Sequence, residues 1–361
     1  EHMPRSSFQK LKIIYIMEYL LKNSDEEHAV TTNQITEGVI WKQLLLFFFP
    51  IVLGTFFQQL YNTADTIVVG RFVSKEALAA VGGSAAQIVG LIVGFFVGLA
   101  SGASVIISQF YGAKDRAQLN RALHTAYAFS IVGSIFITAL GILIAPWLLE
   151  LMHTPQETMA DALLYLRIYF AGIIFVFIYN VGSSILRAMG DSRRPLYYLI
   201  VCCILNIVLD IVLVIVFHMG VAGVSIATIF SQGVSAVLIT RALMRSDDLY
   251  QLEFRKIRFH KAALFSLLWV GCPTGIQSVL YSVTNMLIQT FLNNLGTDTV
   301  AAWSAFGKID SFYWMVNNAF GIAVTTFVGQ NFGAGKYDRM KKSVRIGLCM
   351  GLCTALTLTL I

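Results

Sequence analysis

The chain alternates between long apolar segments and short polar loops. Runs of apolar residues with few charged side chains recur nine times along its 361 residues. The hydrocarbon core of a bilayer is about 30 Å thick, so a helix needs about 20 mostly apolar residues to cross it. The pattern predicts eight full membrane spans and the start of a ninth, at residues 43–69, 79–108, 122–148, 162–186, 196–217, 221–244, 262–292, 300–328 and 344–361.

Composition narrows the class of protein. Apolar residues make up 57% of the chain and charged residues 13%, and the mean hydropathy is +0.70. These values exclude a soluble domain of this size and indicate a polytopic membrane protein. The sequence has no glycine-rich nucleotide loop, HExxH or GxSxG motif, so we do not expect an enzyme. Its five cysteines lie in apolar runs and are predicted to be buried thiols rather than zinc ligands or disulfides.

The loops predict an orientation in the membrane. Basic residues cluster after spans 2, 4, 6 and 8, whereas the intervening loops hold only Arg71 and Lys75. Loops rich in lysine and arginine stay on the cytoplasmic side. We therefore expect the N-terminus and the even-numbered loops to be cytoplasmic, in a multi-pass protein of the inner or cytoplasmic membrane.

Residues 1–40 differ from the rest of the chain. Apolar residues at helical spacing, with lysines between them, predict an amphipathic helix over 8–22, and a polar stretch follows. This opening resembles the first helix and the start of the second helix of winged-helix regulators that carry a WYL domain, but the resemblance stops before any recognition helix. We expect no nucleic-acid partner. The segment is interpreted as a helix on the membrane surface or as a start foreign to the natural chain.

The sequence contains an internal repeat. Pro50 and Pro273 occupy the same place in spans 1 and 7, and Asn62 and Asn285 recur at the same distance of 223 residues. The motif QFYGA after span 2 recurs as QNFGA after span 8, at a distance of 221 residues. An offset of six spans gives both copies the same orientation. The repeat predicts two parallel six-helix lobes, the second of them truncated in this chain.

Ionisable residues inside the spans are the candidates for chemistry, because charges in a membrane are costly. Asn206 and Asp210 are four residues apart and share a helix face with spacing suited to a joint site, and Asp65 lies in span 1. The Asn206 and Asp210 pair could coordinate a small cation, carry a proton, or only join neighbouring helices. In span 8, Lys308 and Asp310 are two residues apart and do not face each other; Lys308 could act as a gate or a neutralising charge, or it could reach the interface.

Aromatic residues suggest a second feature. Tyr281 and Tyr313, with Lys308 and Asp310, are predicted to line a broad substrate cavity in which ring faces attract apolar cations. Most other aromatic residues are expected to pack or to face lipid.

Several motifs together resemble the multidrug and toxic compound extrusion (MATE) family of secondary transporters. They are PIVLGTFFQQLYNTADTIVVGR, SQFYGAKD, SSILRAMGDSRRP, NIVLDIVLV and TTFVGQNFGAGK. The resemblance implies twelve spans in two lobes and exchange of Na+ or H+ for amphipathic compounds, without a further cofactor. It also implies a first-lobe cation site at Asp65, Asn206 and Asp210, with Asn180 and Thr228. Span 7 departs from the family pattern, because it has no carboxylate where some members use one, and the resemblance therefore does not support a cation site in the second lobe.

The combined prediction is a monomeric antiporter that exports amphipathic, cationic compounds in exchange for Na+ or H+. Residues 1–40 form the N-terminal segment, 41–245 the first lobe and 246–361 an incomplete second lobe. Two alternatives stay open at this point: a lipid-linked sugar flippase of the same superfamily, which needs a more cationic cavity, and a membrane-tethered regulator acting through residues 1–40.

Overall fold

The computed structural model describes residues 35–246, 250–293 and 297–360, and every regular element in this part of the chain is helical. The predicted amphipathic helix and the winged-helix resemblance fall on residues outside these ranges. The helices are α1 (Ile40–Phe72), α2 (Lys75–Gly82), α3 (Ser84–Gly112), α4 (Arg116–Leu151), α5 (Gln156–Ala188), α6 (Arg193–Asp210), α7 (Gly220–Met244), α8 (Lys261–Asn293), α9 (Thr297–Gly333) and α10 (Tyr337–Leu360).

The predicted polytopic all-α architecture is confirmed. In the described part of the chain, seven helical segments are long and apolar enough to cross a membrane, with α2 and α3 counted as one segment. They correspond to predicted spans 1–7. Predicted spans 8 and 9 correspond to α9 and α10, each of which includes residues whose side chains lie outside the description, Lys308 among them.

The start of predicted span 2 is divided between two helices. Instead of one continuous helix, a short α2 ends at Gly82 and α3 begins at Ser84. The Ser74 hydroxyl accepts a hydrogen bond from the Ala77 amide over 3.0 Å and starts α2, and the Gly83 amide donates to the Ala79 carbonyl over 2.9 Å. A pair of glycines has the backbone freedom to interrupt a helix.

Helices α1–α7 pack into one group and α8–α10 pack against it. In the first group α5 lies between α4 and α7, while α6 packs against α1 and α7. Helix α8 runs along α3, α9 contacts α3 and α1, and α10 contacts α1 and α9. Cys202 and Cys203 are buried as predicted, but Cys349 and Cys353 are exposed because they lie on a face of α10 turned away from its neighbours.

Glycines permit the contact between α3 and α8. A Cβ atom at Gly98 would fall 2.5 Å from the Cα atom of Gly275, and one at Gly102 would fall 2.5 Å from the Cα atom of Gly271. Real side chains do not approach backbone atoms so closely. The two helices therefore touch backbone to backbone, and the crossing depends on residues without a side chain.

The two copies of the repeated motif have the same backbone hydrogen bonds. Asp115 N donates to Phe110 O over 3.1 Å, and Lys336 N donates to Asn331 O over 2.8 Å, which closes α3 and α9 with the same type of turn. The copies also meet: Gly112 lies against the backbone of Gln330, and Gly333 lies against the backbone of Gln109. The contact between them is reciprocal, as expected for two related halves facing each other.

Candidate cation site in the first lobe

Three helices bring four polar side chains together: Asp65 from α1, Asn206 and Asp210 from α6, and Thr228 from α7. Asn206 and Asp210 are completely buried, and Asp65 and Thr228 are at most 9% exposed. The carboxyl groups of Asp65 and Asp210 are electrostatic neighbours in this interior. We call these four residues the carboxylate cluster.

Hydrogen bonding inside the carboxylate cluster is sparse. The Thr228 hydroxyl donates to Asp65 Oδ2 over 3.3 Å and also lies 3.0 Å from the Val224 carbonyl, although it has one proton to give. Asn206 Nδ2 donates to Thr228 Oγ1 over 3.5 Å. The single Thr228 proton is therefore shared between Asp65 and the Val224 carbonyl, so the hydrogen bond that Asp65 receives from Thr228 is weak.

Several oxygens of the cluster have no hydrogen-bond partner within the described part of the chain. Asp65 Oδ1, Asn206 Oδ1 and both carboxyl oxygens of Asp210 are buried without a hydrogen bond among the described residues. No ion pair between described residues joins Asp65 or Asp210 to a basic side chain. An unpartnered buried charge costs several kcal/mol, so two adjacent carboxylates need a proton or a cation between them. The four unpartnered atoms of the cluster are all acceptor oxygens, which can bind either a proton or a cation.

The backbone changes its winding directly after Asp210. Helix α6 is α-helical up to Asp210, and the π-helical turn Ile211–Val216 follows immediately. Single π-helical turns inside helices are frequent at functional sites. The wider turn gives α6 a local irregularity next to the buried carboxyl group.

A family model, MatE, matches residues 50–212 and 273–361, most of the chain. The chain belongs to the MatE family. Asp65, Asn180, Asn206 and Asp210 fall inside the matched ranges, and Thr228 lies between them. The predicted family resemblance is thereby confirmed.

Known proteins resemble this MatE chain over most of its length. The Bacillus subtilis (strain 168) protein named "Probable multidrug resistance protein YoeA" is 29% identical over 331 residues, which cover 89% of this chain and 71% of that protein. "Probable multidrug resistance protein YpnP" of the same organism is 34% identical over 307 residues, with coverage of 84% and 68%. The solved structure of a MOP superfamily transporter from Pyrococcus furiosus has a TM-score of 0.82 and 25% identity, with coverage of 89% and 71%.

The MatE chain contains polar neighbours of the cluster that the sequence prediction missed. Gln232 Nε2 donates to the Tyr61 hydroxyl over 3.3 Å, and both side chains are buried. Tyr61 precedes Asp65 by four residues and Gln232 follows Thr228 by four, so each lies one helical turn from a cluster residue. The same four-residue spacing that linked Asn206 to Asp210 would have identified Tyr61 and Gln232 from the sequence.

Asn180 does not share the hydrogen bonds of the other four predicted cation-site residues among the described residues. Its side chain donates to the Val176 carbonyl of its own helix over 2.8 Å, and it lines a narrow apolar cavity with Phe96 and Phe177. Among the described residues, no hydrogen bond joins Asn180 to the carboxylate cluster. Its role in a cation site stays a prediction.

The predicted substrate-cavity residues lie on α8 and α9. Tyr281 is 48% exposed and meets Trp314 edge to face with ring centres 5.4 Å apart, and Tyr313 contacts Trp314 at 6.2 Å. Asp310 is partly exposed on α9, and the Lys308 side chain lies outside the description. The tyrosines therefore belong to one aromatic group across the two helices, and a substrate role for it stays a prediction.

Proposed function

We propose that the protein is a secondary active antiporter of the cell membrane that exports amphipathic, cationic compounds in exchange for Na+ or H+. The carboxylate cluster carries the proposal, because Asp65 and Asp210 form a buried acceptor site that only a proton or a cation can complete. The relatives named as multidrug resistance proteins support drug export. The distribution of basic loops supports a cytoplasmic N-terminus.

Helix α1 offers a physical connection between the cluster and the contact of the two helix groups. Asp65 lies near its far end, while Phe48, near its start, stacks on Phe320 of α9 with ring centres 4.0 Å apart. Pro50 lies between them and removes one helical hydrogen bond, which makes a bend at this point inexpensive. About 15 residues, or roughly 22 Å of helix, separate Pro50 from Asp65.

The proposed cycle uses this connection. A cation or proton enters the cluster from the outer side, neutralises Asp65 and Asp210, and relieves the repulsion between the two carboxyl groups. The relaxed cluster favours a bent α1, which changes the contact of α1 with α9 and releases the compound outward. Return of the cation to the cytoplasm restores the first state.

The decisive variant is Asp210→Asn, which keeps the shape of the side chain and removes its charge. We expect loss of ion-driven export of a fluorescent amphipathic cation from membrane vesicles in which Na+ and H+ gradients are imposed separately. We also expect loss of Na+ binding or of cluster-linked proton uptake by the purified chain, whichever the wild-type chain shows.

The matched control is Asp161→Asn on α5, a partly exposed carboxylate that takes no part in the cluster. It makes the same chemical change and should leave export and cation uptake unaltered. Unchanged export and unchanged cation uptake in the Asp210→Asn chain would refute the proposal.

A further inference from the structure

The segment that connects α7 to α8 encloses a basic cavity with the start of α4. The cavity has a volume of about 250 Å³. Arg116 and Arg121 line it from α4, and Lys256 and Arg258 line it from the connecting segment 250–260. Glu253 is the one acidic residue among the described lining residues. We call this space the linker cavity.

The walls of the linker cavity are held together by side chains of α4. His124 Nε2 accepts a hydrogen bond from the Glu253 amide over 3.1 Å, and the Thr125 hydroxyl accepts one from the His260 amide over 3.2 Å. The Asn120 side-chain oxygen accepts a further bond from the Gln251 amide over 3.4 Å. These contacts fix the backbone of the connecting segment, so the cavity is a formed site rather than a chance gap between loops.

Positive charge in the linker cavity exceeds negative charge. Lys256 Nζ pairs with Glu253 Oε1 at 2.5 Å, which accounts for the described acidic residue of the lining. The Arg116 and Arg121 side chains make no hydrogen bond or ion pair with other described residues. Their guanidinium groups are therefore available to a ligand, and arginine binds phosphate oxygens in a bidentate manner.

The charge excess also affects His260, which lines the same cavity. Partial burial, followed by the charges of Arg258, Arg121 and His124, lowers the pKa of His260. The Arg258 Nε–H group donates to His260 Nε2 over 3.2 Å, which requires an unprotonated nitrogen there. An anion in the cavity would offset these positive charges.

We propose that the linker cavity binds a phosphate group and thereby clamps the connecting segment to α4. Two exposed aromatic residues on the same segment, Phe254 and Phe259, favour a membrane lipid as the source of that phosphate. Aromatic side chains next to a basic pocket at the predicted cytoplasmic surface suit the headgroup region of an anionic phospholipid. A soluble phosphate compound is the other source that the test must separate.

The test titrates the full purified chain with three probes: short-chain phosphatidylglycerol, short-chain phosphatidylcholine and inorganic phosphate. We expect phosphatidylglycerol to bind more tightly than the other two. The variant Arg116→Gln/Arg121→Gln/Arg258→Gln should weaken that binding about tenfold or more, since three positive charges that attract an anionic lipid are then removed from the lining. Glu253→Gln should tighten it several-fold, because Lys256 is then released for the ligand.

The matched control is Lys341→Gln/Lys342→Gln/Arg345→Gln, which removes the same charge from exposed positions on α10. An equal loss of binding in this control would show general attraction to the basic surface and overturn the proposal, as would an unaltered affinity in the Arg116, Arg121 and Arg258 variant. Equally tight binding of inorganic phosphate that depends on the same arginines would support a phosphate site and overturn the lipid source. None of these outcomes depends on whether the protein exports drugs.

Discussion

Replacing Gly98 by alanine tests whether the backbone contact of α3 with α8 holds the lobes in the arrangement described. The added Cβ atom would lie 2.5 Å from both Cα and N of Gly275 and 2.8 Å from the carbonyl carbon of Thr274. Ordinary contacts of a Cβ atom begin near 3.4 Å. The opposing atoms belong to a backbone, so no change of rotamer relieves the overlap, and the helices must separate by about 1 Å.

Overpacking of this kind costs about 1–3 kcal/mol. A conformation in which α3 and α8 lie further apart does not carry that cost. The substitution should therefore shift the equilibrium from the packed towards the separated conformation. The expected factor is roughly 5 to 150, at about 1.4 kcal/mol for each factor of ten.

The assay is a distance measurement between two spin labels by pulsed electron paramagnetic resonance, one on exposed Ala117 of α4 and one on exposed Lys341 of α10. Gly98→Ala should add a population with a longer distance. Gly90→Ala is the control, because it lies on the same helix and a Cβ atom there meets nothing within 4 Å. Identical distance distributions and thermal stabilities for the two variants would refute the reasoning.

Three further predictions concern single side chains. Thr228→Val should weaken cation uptake about tenfold in an equilibrium titration, because Asp65 loses its described donor, whereas Thr228→Ser should retain it. Arg339→Gln should speed proteolysis near Gly38 several-fold, since the guanidinium group donates to the carbonyls of residues 35, 37 and 38; unaltered digestion would contradict this role. If the linker cavity binds phosphatidylglycerol, affinity should rise as pH falls through the lowered pKa of His260, and His260→Gln should show a flatter pH profile.

The sign of the pH prediction follows from the charges around His260. Arg258 and Arg121 disfavour its protonation in the empty cavity, and a bound anion favours it, so the anion raises the pKa and binding takes up a proton. Arg116, Lys256, Glu253 and His124 also face the cavity. His124 already has partners at both ring nitrogens: Nε2 accepts from the Glu253 amide, and Nδ1 lies 2.7 Å from the Asn120 carbonyl.

Much of the fold could be predicted because hydrocarbon imposes a simple rule. A backbone in a bilayer must satisfy its own hydrogen bonds, so long apolar runs become helices. The pairing of Asn206 with Asp210 followed from helical spacing alone. That Asp65 and Thr228 would join them came from the family resemblance, because spacing within one helix says nothing about which helices are neighbours.

Other features depend on three-dimensional packing that local patterns do not encode. The π-helical turn after Asp210 lies in a stretch of valine, leucine and isoleucine that reads as ordinary helix. The pairing of Gly98 with Gly275 depends on where two helices cross. The charges of the linker cavity were interpreted only as a sign of topology, since residues 116–121 and 256–258 are far apart in the sequence.

The reciprocal contact of the two motif copies is isologous, like the interface of a C2 dimer in which each partner presents the same patch. Gln109 and Gly333 form one half of it, and Gln330 and Gly112 form the other. A patch that is complementary to itself can also join two separate molecules. A six-span polypeptide with a single copy of the motif would therefore carry the surface needed to assemble with its twin, and the longer chain makes the same contact within one molecule.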